Sequence, residues 1–196
     1  YPDRLIPFCS VNPIWGKSAV SEIERCAKHG AKGIGELHPD TQGFDVGNPN
    51  IMHPMMGCAK ALDMPLVIHS SEPIGHQYPG KGKTTPDRLW DFIQNFTDNK
   101  IVCAHWGGGL PFYALMPEVK RLLTNVYFDT AATPFLYRSK VFETATIPVG
   151  SHKVLFGTDY PLLSQCRVIQ QINQSSLSKS DREAILGTNA LKLLGL

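Results

Sequence analysis

Three histidines and one aspartate stand at the ends of short apolar runs in this 196-residue sequence. His69 follows Leu66–Val67–Ile68 and leads into Ser70, Ser71 and Glu72. His105 closes Ile101–Val102–Cys103–Ala104 and is followed by Trp106 and three glycines. Asp159 follows Val154–Leu155–Phe156–Gly157–Thr158 and precedes Tyr160–Pro161. Glu36 and His38 lie two apart in GIGELHP, so a strand there turns both to one face. Imidazole is the commonest protein donor to a transition metal, and a nearby carboxylate can bind the cation and accept a proton from its water. His69 and Asp159 are therefore candidate metal ligands, and His105 and Asp159 are candidate catalytic groups. Glu36, His38, His76, Trp106 and Lys81 are candidate substrate contacts. Each residue alone also has a plain structural reading: a buried histidine bonded to backbone, a capping aspartate, a Glu36–His38 hydrogen bond. Their clustering at strand ends is what points to chemistry.

Six β-rich runs carry these residues: 5–11, 33–37, 66–69, 101–105, 126–130 and 154–158. Most are apolar on both faces, as parallel strands covered by helices are. The fifth run ends in Asp129 and Thr130. Helical signals fill the gaps. Ser18 is read as a cap ahead of Val20, Ile23 and Ala27, with Gly30 as the stop. Thr85–Pro86–Asp87 opens a helix over 89–96, and Ser180 with Glu183 reads as a capping box before 184–186. A last helical segment covers 190–194.

The alternation predicts an α/β fold with a parallel sheet. The strand starts recur at about 30 residues, and a (β/α)₈ TIM barrel needs roughly 240–250 residues. Six units are present. The chain begins at Tyr1 and its first methionine is Met52. The expectation is a single barrel domain over 1–196, holding strands three to eight, with two units ahead of Tyr1. Catalytic groups in such barrels collect at the carboxyl ends of the strands, where these residues fall.

Composition narrows the function class. Net charge is +2 with no long basic run, which argues against a nucleic-acid partner. No stretch has the length and apolarity of a membrane span. Five widely spaced cysteines without a CxxC make a poor disulfide framework and a poor zinc ribbon, so free thiols in the cytoplasm are expected. Residues 75–81 fit the start of a phosphate loop, GxxxxGK. Gly82 stands where a magnesium-binding Ser or Thr belongs, and Pro79 removes an amide from the cradle. A loop over the strand ends is the better reading, with Lys81, Lys83 and Tyr78 able to steer an anionic substrate.

The succession GIGELHP (33–39), LVIHSSEP (66–73), AHWGGGLPFY (104–113), VYFDTAA (126–132) and LFGTDYP (155–161) resembles the amidohydrolase-2 family. These are metal-dependent hydrolases of the TIM-barrel fold, related to aminocarboxymuconate-semialdehyde decarboxylase. The resemblance implies one divalent metal, with zinc expected and manganese or iron compatible. It places His69 and Asp159 among the ligands and His105 near the metal water or the substrate. It also implies an HxH pair on the first strand, and this sequence contains no HxH. An upstream segment would have to supply it.

Hydrolysis is the leading expectation: metal-activated water attacks an ester, lactone or amide carbonyl. The alternative at the same site is non-oxidative decarboxylation or hydration of a small carboxylic acid. A third reading, prompted by the absent HxH, is a non-catalytic assembly module. A small anionic substrate and a homodimer are the expected partners.

Overall fold

The computed structural model describes residues 1 and 4–196. Six parallel strands form one sheet in the order of the chain: β1 (Phe8–Cys9), β2 (Gly33–Leu37), β3 (Leu66–Ile68), β4 (Ile101–Cys103), β5 (Val126–Asp129) and β6 (Val154–Leu155). Each strand is followed by one longer helix: α1 (Lys17–Lys28), α2 (Pro49–Ala61), α3 (Pro86–Asn95), α4 (Pro117–Leu122), α5 (Val141–Val149) and α6 (Gln165–Gln174). A terminal helix, α7 (Asn189–Leu194), completes the chain. Strictly sequential parallel strands with intervening helices are consecutive staves of a β/α barrel, as the periodicity predicts.

The strands alternate between two apolar environments. Ile34, Leu66, Ile68, Ile101, Cys103, Val126 and Phe128 point outward into a core shared with Ile23, Met52, Met56, Leu89, Phe92 and Val119 from the helices. Removing one such side chain from water contributes about 1.5–3 kcal/mol. The inward face is lined lower down by Val67, Val102, Tyr127 and Leu155, against which Ala190 and Leu193 of α7 pack. The upper part of that face holds the polar residues.

Several local expectations need correction. The ladder of β1 is two residues, because Leu5 and Ile6 stay exposed outside it. β6 also stops early, since the Phe156 amide bonds Ile185 O instead of a strand partner. The cap of α1 is Gly16 at φ 53°, not Ser18, which lies inside the helix. The capping role given to Ser180 belongs to Ser178, whose Oγ accepts the Asp181 amide at 3.1 Å and opens a helix over Lys179–Glu183. Thr85 and Pro86 start α3 as expected. α2 forms although it contains Pro49, Pro54 and Gly57, residue types that disfavour a helix interior. Pro49 occupies the permissive first turn, and Met52, Met55, Met56 and Ala59 bury one face at helical spacing.

Candidate functional site

The carboxyl ends of the strands open into one cavity of about 670 Å³. Glu36, His38, His69, His105 and Asp159 line it together with His76, Tyr78 and Phe135. Strands two, three, four and six thus deliver the polar residues to one place. The strand ladders end just before His69 and His105, so both side chains project from the rim of the sheet.

Glu36, His69 and His105 form the tightest group. Their ligand atoms all lie within 4.8 Å of one another. Glu36 Oε1 is 2.9 Å from His69 Nδ1 and 3.5 Å from His105 Nε2. Three donor atoms this close would be able to share one ion. A carboxylate with two imidazoles suits zinc, iron and manganese alike, so the donor set fits a divalent metal without selecting one. Glu36 was expected to touch substrate; its geometry also makes it a metal donor. Asp159 faces the same cavity at φ 63° but lies outside the tight group.

Burial alone would raise the Glu36 carboxyl, but the hydrogen bonds from His105 and His69 outweigh it and hold it at about 2. Burial alone would lower the His105 imidazole. The hydrogen bond to Glu36, aided by the charges of Asp129, Glu36 and Asp159, instead lifts it to about 9. His105 is therefore a cation at neutral pH. Its Nδ1–H donates to Ala131 O at 3.3 Å, leaving Nε2–H toward Glu36.

His105 sits in unusual backbone. It begins five successive residues, His105 to Gly109, whose φ values run from +55° to +98°. Left-handed backbone costs an L-residue about 1–2 kcal/mol, which explains the glycines after Trp106. At Gly108 a Cβ would also lie 2.2 Å from Ser71 O, so only glycine fits. The strand-five segment secures this turn. Asp129 Oδ1 accepts the His105 and Ala131 amides at 2.9 and 3.0 Å. Burial pushes the Asp129 carboxyl up to about 6. Thr130 Oγ1 donates to Gly157 O and accepts from its amide, both at 2.9 Å, which ties the end of β5 to the segment bearing Asp159.

Two expected substrate contacts stand elsewhere. Trp106 is fully buried, donates from Nε1 to Thr133 Oγ1 at 2.8 Å and packs edge-on against Phe142. It anchors the turn and does not line the cavity. Lys81 donates from Nζ to Ile74 O and His76 O, so it braces its own loop, with Nζ 5.7 Å from the Tyr78 ring centroid. His38 lines the cavity and stacks on His69 with ring centroids 4.0 Å apart. Its Nδ1 accepts the Thr41 amide at 3.3 Å, so its Nε2 carries a proton and donates to Gly80 O at 3.1 Å. No helix starts on the GxxxxGK stretch; the next one begins at Pro86, so the phosphate-loop geometry is absent there. The apolar wall of Ala132, Phe135, Leu136 and Leu162 was not anticipated. Its only signal was position after strand ends five and six.

The family model described as amidohydrolase matches residues 1–196, the whole chain. A gamma-resorcylate decarboxylase of Polaromonas sp. is 21% identical over 244 residues, covering all of this chain and 72% of that protein. A 2-amino-3-carboxymuconate-6-semialdehyde decarboxylase of Dictyostelium discoideum is 26% identical over 227 residues; this chain spans 62% of its length. Among solved structures, a 5-carboxyvanillate decarboxylase from Novosphingobium aromaticivorans superposes with a TM-score of 0.78 at 20% identity. It covers all of this chain and 66% of that one. That structure holds manganese and 4-hydroxy-3-methoxy-5-nitrobenzoic acid. Among the described residues, no helix is long and apolar enough to cross a membrane.

Proposed function

The chain belongs to the amidohydrolase family, and from that premise we propose that it is a metal-dependent, non-oxidative decarboxylase of a small aromatic or unsaturated carboxylic acid. The observation that carries the reading is the cavity's division. Its floor holds Glu36, His69, His105 and Asp159, and one wall is apolar, built from Ala132, Phe135, Leu136 and Leu162. A flat unsaturated skeleton suits the wall, and its carboxylate suits a floor that carries the His105 imidazole and donors for a divalent metal. The named relatives are decarboxylases, which supports lyase chemistry over the hydrolysis that the sequence put first.

Glu36 and His69 would hold the metal, with Asp159 facing them across the cavity. When bound, a divalent metal supplies positive charge that orients the substrate carboxylate or a neighbouring hydroxyl. Manganese is the metal named in a solved relative, and the zinc expected from the sequence uses the same donors. His105 is assigned to the proton instead, because it lines the cavity with Nε2 directed at Glu36 while its Nδ1–H is held by Ala131 O. Its Nε2 proton passes to the carbon that bears the carboxylate. The bond from that carbon to the carboxyl group then breaks, its electron pair restores the unsaturated system, and CO₂ leaves. His105 regains its proton from solvent. Glu36 holds that proton on Nε2 until transfer. Phe135, Leu136 and Leu162 would pack against the unsaturated skeleton.

On this reading residues 1–196 act as one barrel domain, and light scattering tests the expected homodimer. The deciding experiment reconstitutes the full-length protein with manganese or zinc. It then measures CO₂ from hydroxybenzoates and unsaturated acids beside hydrolysis of lactones and esters. CO₂ release is expected. Lactone or ester turnover without CO₂ would return the reading to hydrolysis, and well under one metal bound per chain would remove both in favour of a non-catalytic module.

A further inference from the structure

The segment that leaves β5 grips the His105 turn at three points. Asp129 Oδ1 accepts the backbone amide of His105, Ala131 O accepts the ring Nδ1–H, and Thr133 Oγ1 accepts the indole N–H of Trp106. None of the three lines the cavity. Ala131 and Thr133 act through a ring nitrogen and a neighbour. Asp129 alone holds the backbone of the residue that carries the proton.

We propose that Asp129 is a positioning residue for His105, its carboxylate fixing the left-handed backbone that presents the imidazole to the cavity. His105 has φ 55°, a conformation an L-residue leaves when nothing holds it. Its amide points away from the cavity to Asp129 at 2.9 Å, and the same oxygen takes the Ala131 amide at 3.0 Å. One atom therefore sets both the backbone of His105 and the carbonyl that receives its ring proton. The end of the neighbouring strand packs beside Asp129: a Cβ on Gly157 would lie 3.3 Å from its Cβ and Cγ. Asp129 does not line the cavity and its contact with the donor cluster is through His105, so it acts through that residue.

The assignment of His105 to proton delivery rests on the decarboxylase reading, but the placement of its backbone does not. The test therefore has two readouts on the full-length protein with Asp129→Asn and Asp129→Ala. The first is the NMR signal of the His105 amide and ring N–H in the metal-free protein. A charge-assisted bond places the amide far downfield with slow exchange. Asp129→Asn retains an acceptor and should move it part of the way upfield; Asp129→Ala should release it. The second is turnover of the metal-loaded protein. Misplacing a reacting group by about 1 Å can cost about 10²-fold, so Asp129→Ala should lower kcat by that order with KM within roughly twofold. Asp129→Asn should recover most of it, staying within about tenfold of the parent. Should Asp129→Ala fail to fold, Asp129→Asn still decides, because its amide shift and its smaller kcat loss are both required. An unmoved His105 amide in the variants overturns the proposal, as does a loss confined to KM. If no acid is decarboxylated by the parent protein, the function reading fails while the NMR arm still judges the positioning.

Discussion

The cavity has two walls of different construction. Under His105, the ends of β4, β5 and β6 are joined by buried or partly buried bonds: two amides on Asp129, an indole on Thr133, and paired Thr130–Gly157 contacts. Opposite lies the segment 72–85, which has no helix or strand and is largely exposed. It hangs from His38 Nε2 on Gly80 O, Ser71 Oγ on the Gly82 amide, Asp40 on the Lys83 amide and Lys81 on its own carbonyls. Buried, mutually supporting bonds resist substitution of any partner, whereas exposed ones exchange with water at little net cost. The first wall is suited to holding chemistry still, and the second to shaping what enters.

The largest effect separating the walls from the floor should come from His69→Ala. Metal content and turnover should both disappear, the latter by more than about 10³-fold; a variant that keeps its metal and its rate would break the assignment. His105→Gln comes next. It should keep the metal yet lose about 10²–10⁴-fold in kcat, the usual worth of a positioned acid. Elemental analysis beside kinetics distinguishes this from the His69 result.

A third effect is on stability. The His105 pKa is raised from 6.5 to about 9 by its carboxylate neighbours. A raised folded-state value stabilises fully below about pH 6.5 and is lost as pH climbs through about 9. Each unit is worth about 1.4 kcal/mol. The melting temperature of the metal-free protein should therefore exceed that of His105→Gln at pH 6, and the gap should close by pH 9.5. A gap independent of pH would sink this. Thr133→Val strands the buried indole N–H of Trp106 and should cost about 1–3 kcal/mol, read by denaturant melts. Lys81→Ala should have the smallest effect. Melting temperature and kcat should hold, while KM rises by a factor of roughly two to five, about 0.5–1 kcal/mol. A stability loss as large as that of Thr133→Val would erase the distinction between the walls.

The sequence revealed the floor better than either wall. His69, His105 and Asp159 were visible because each follows an apolar run, and strand periodicity carries them to one rim. Their convergence could be read without distances. Trp106 misled because an aromatic next to a candidate catalytic histidine looks like a substrate contact, whereas left-handed backbone swings it into the core. Lys81 misled because a loop lysine reads as free charge until its carbonyl partners are known. Asp129 was noticed at a strand end but given no task. A carboxylate that binds an amide 24 residues away leaves no spacing pattern to find. The glycines after Trp106 were the one hint of the turn, and they could not say which residue held it.

The loop over the cavity closes on itself: the Ser71 amide bonds Thr84 O at 3.0 Å. Its two ends are joined by the frame and not by its own length. Since closure entropy grows only with the logarithm of length, residues can be added or removed between 72 and 83 at a cost of a few tenths of a kcal/mol. The cavity can therefore acquire a new mouth without touching the bonds that hold His105 and Asp129. Inherited variation or library design restricted to that segment would change which molecules enter the cavity while leaving the frame beneath His105 in place.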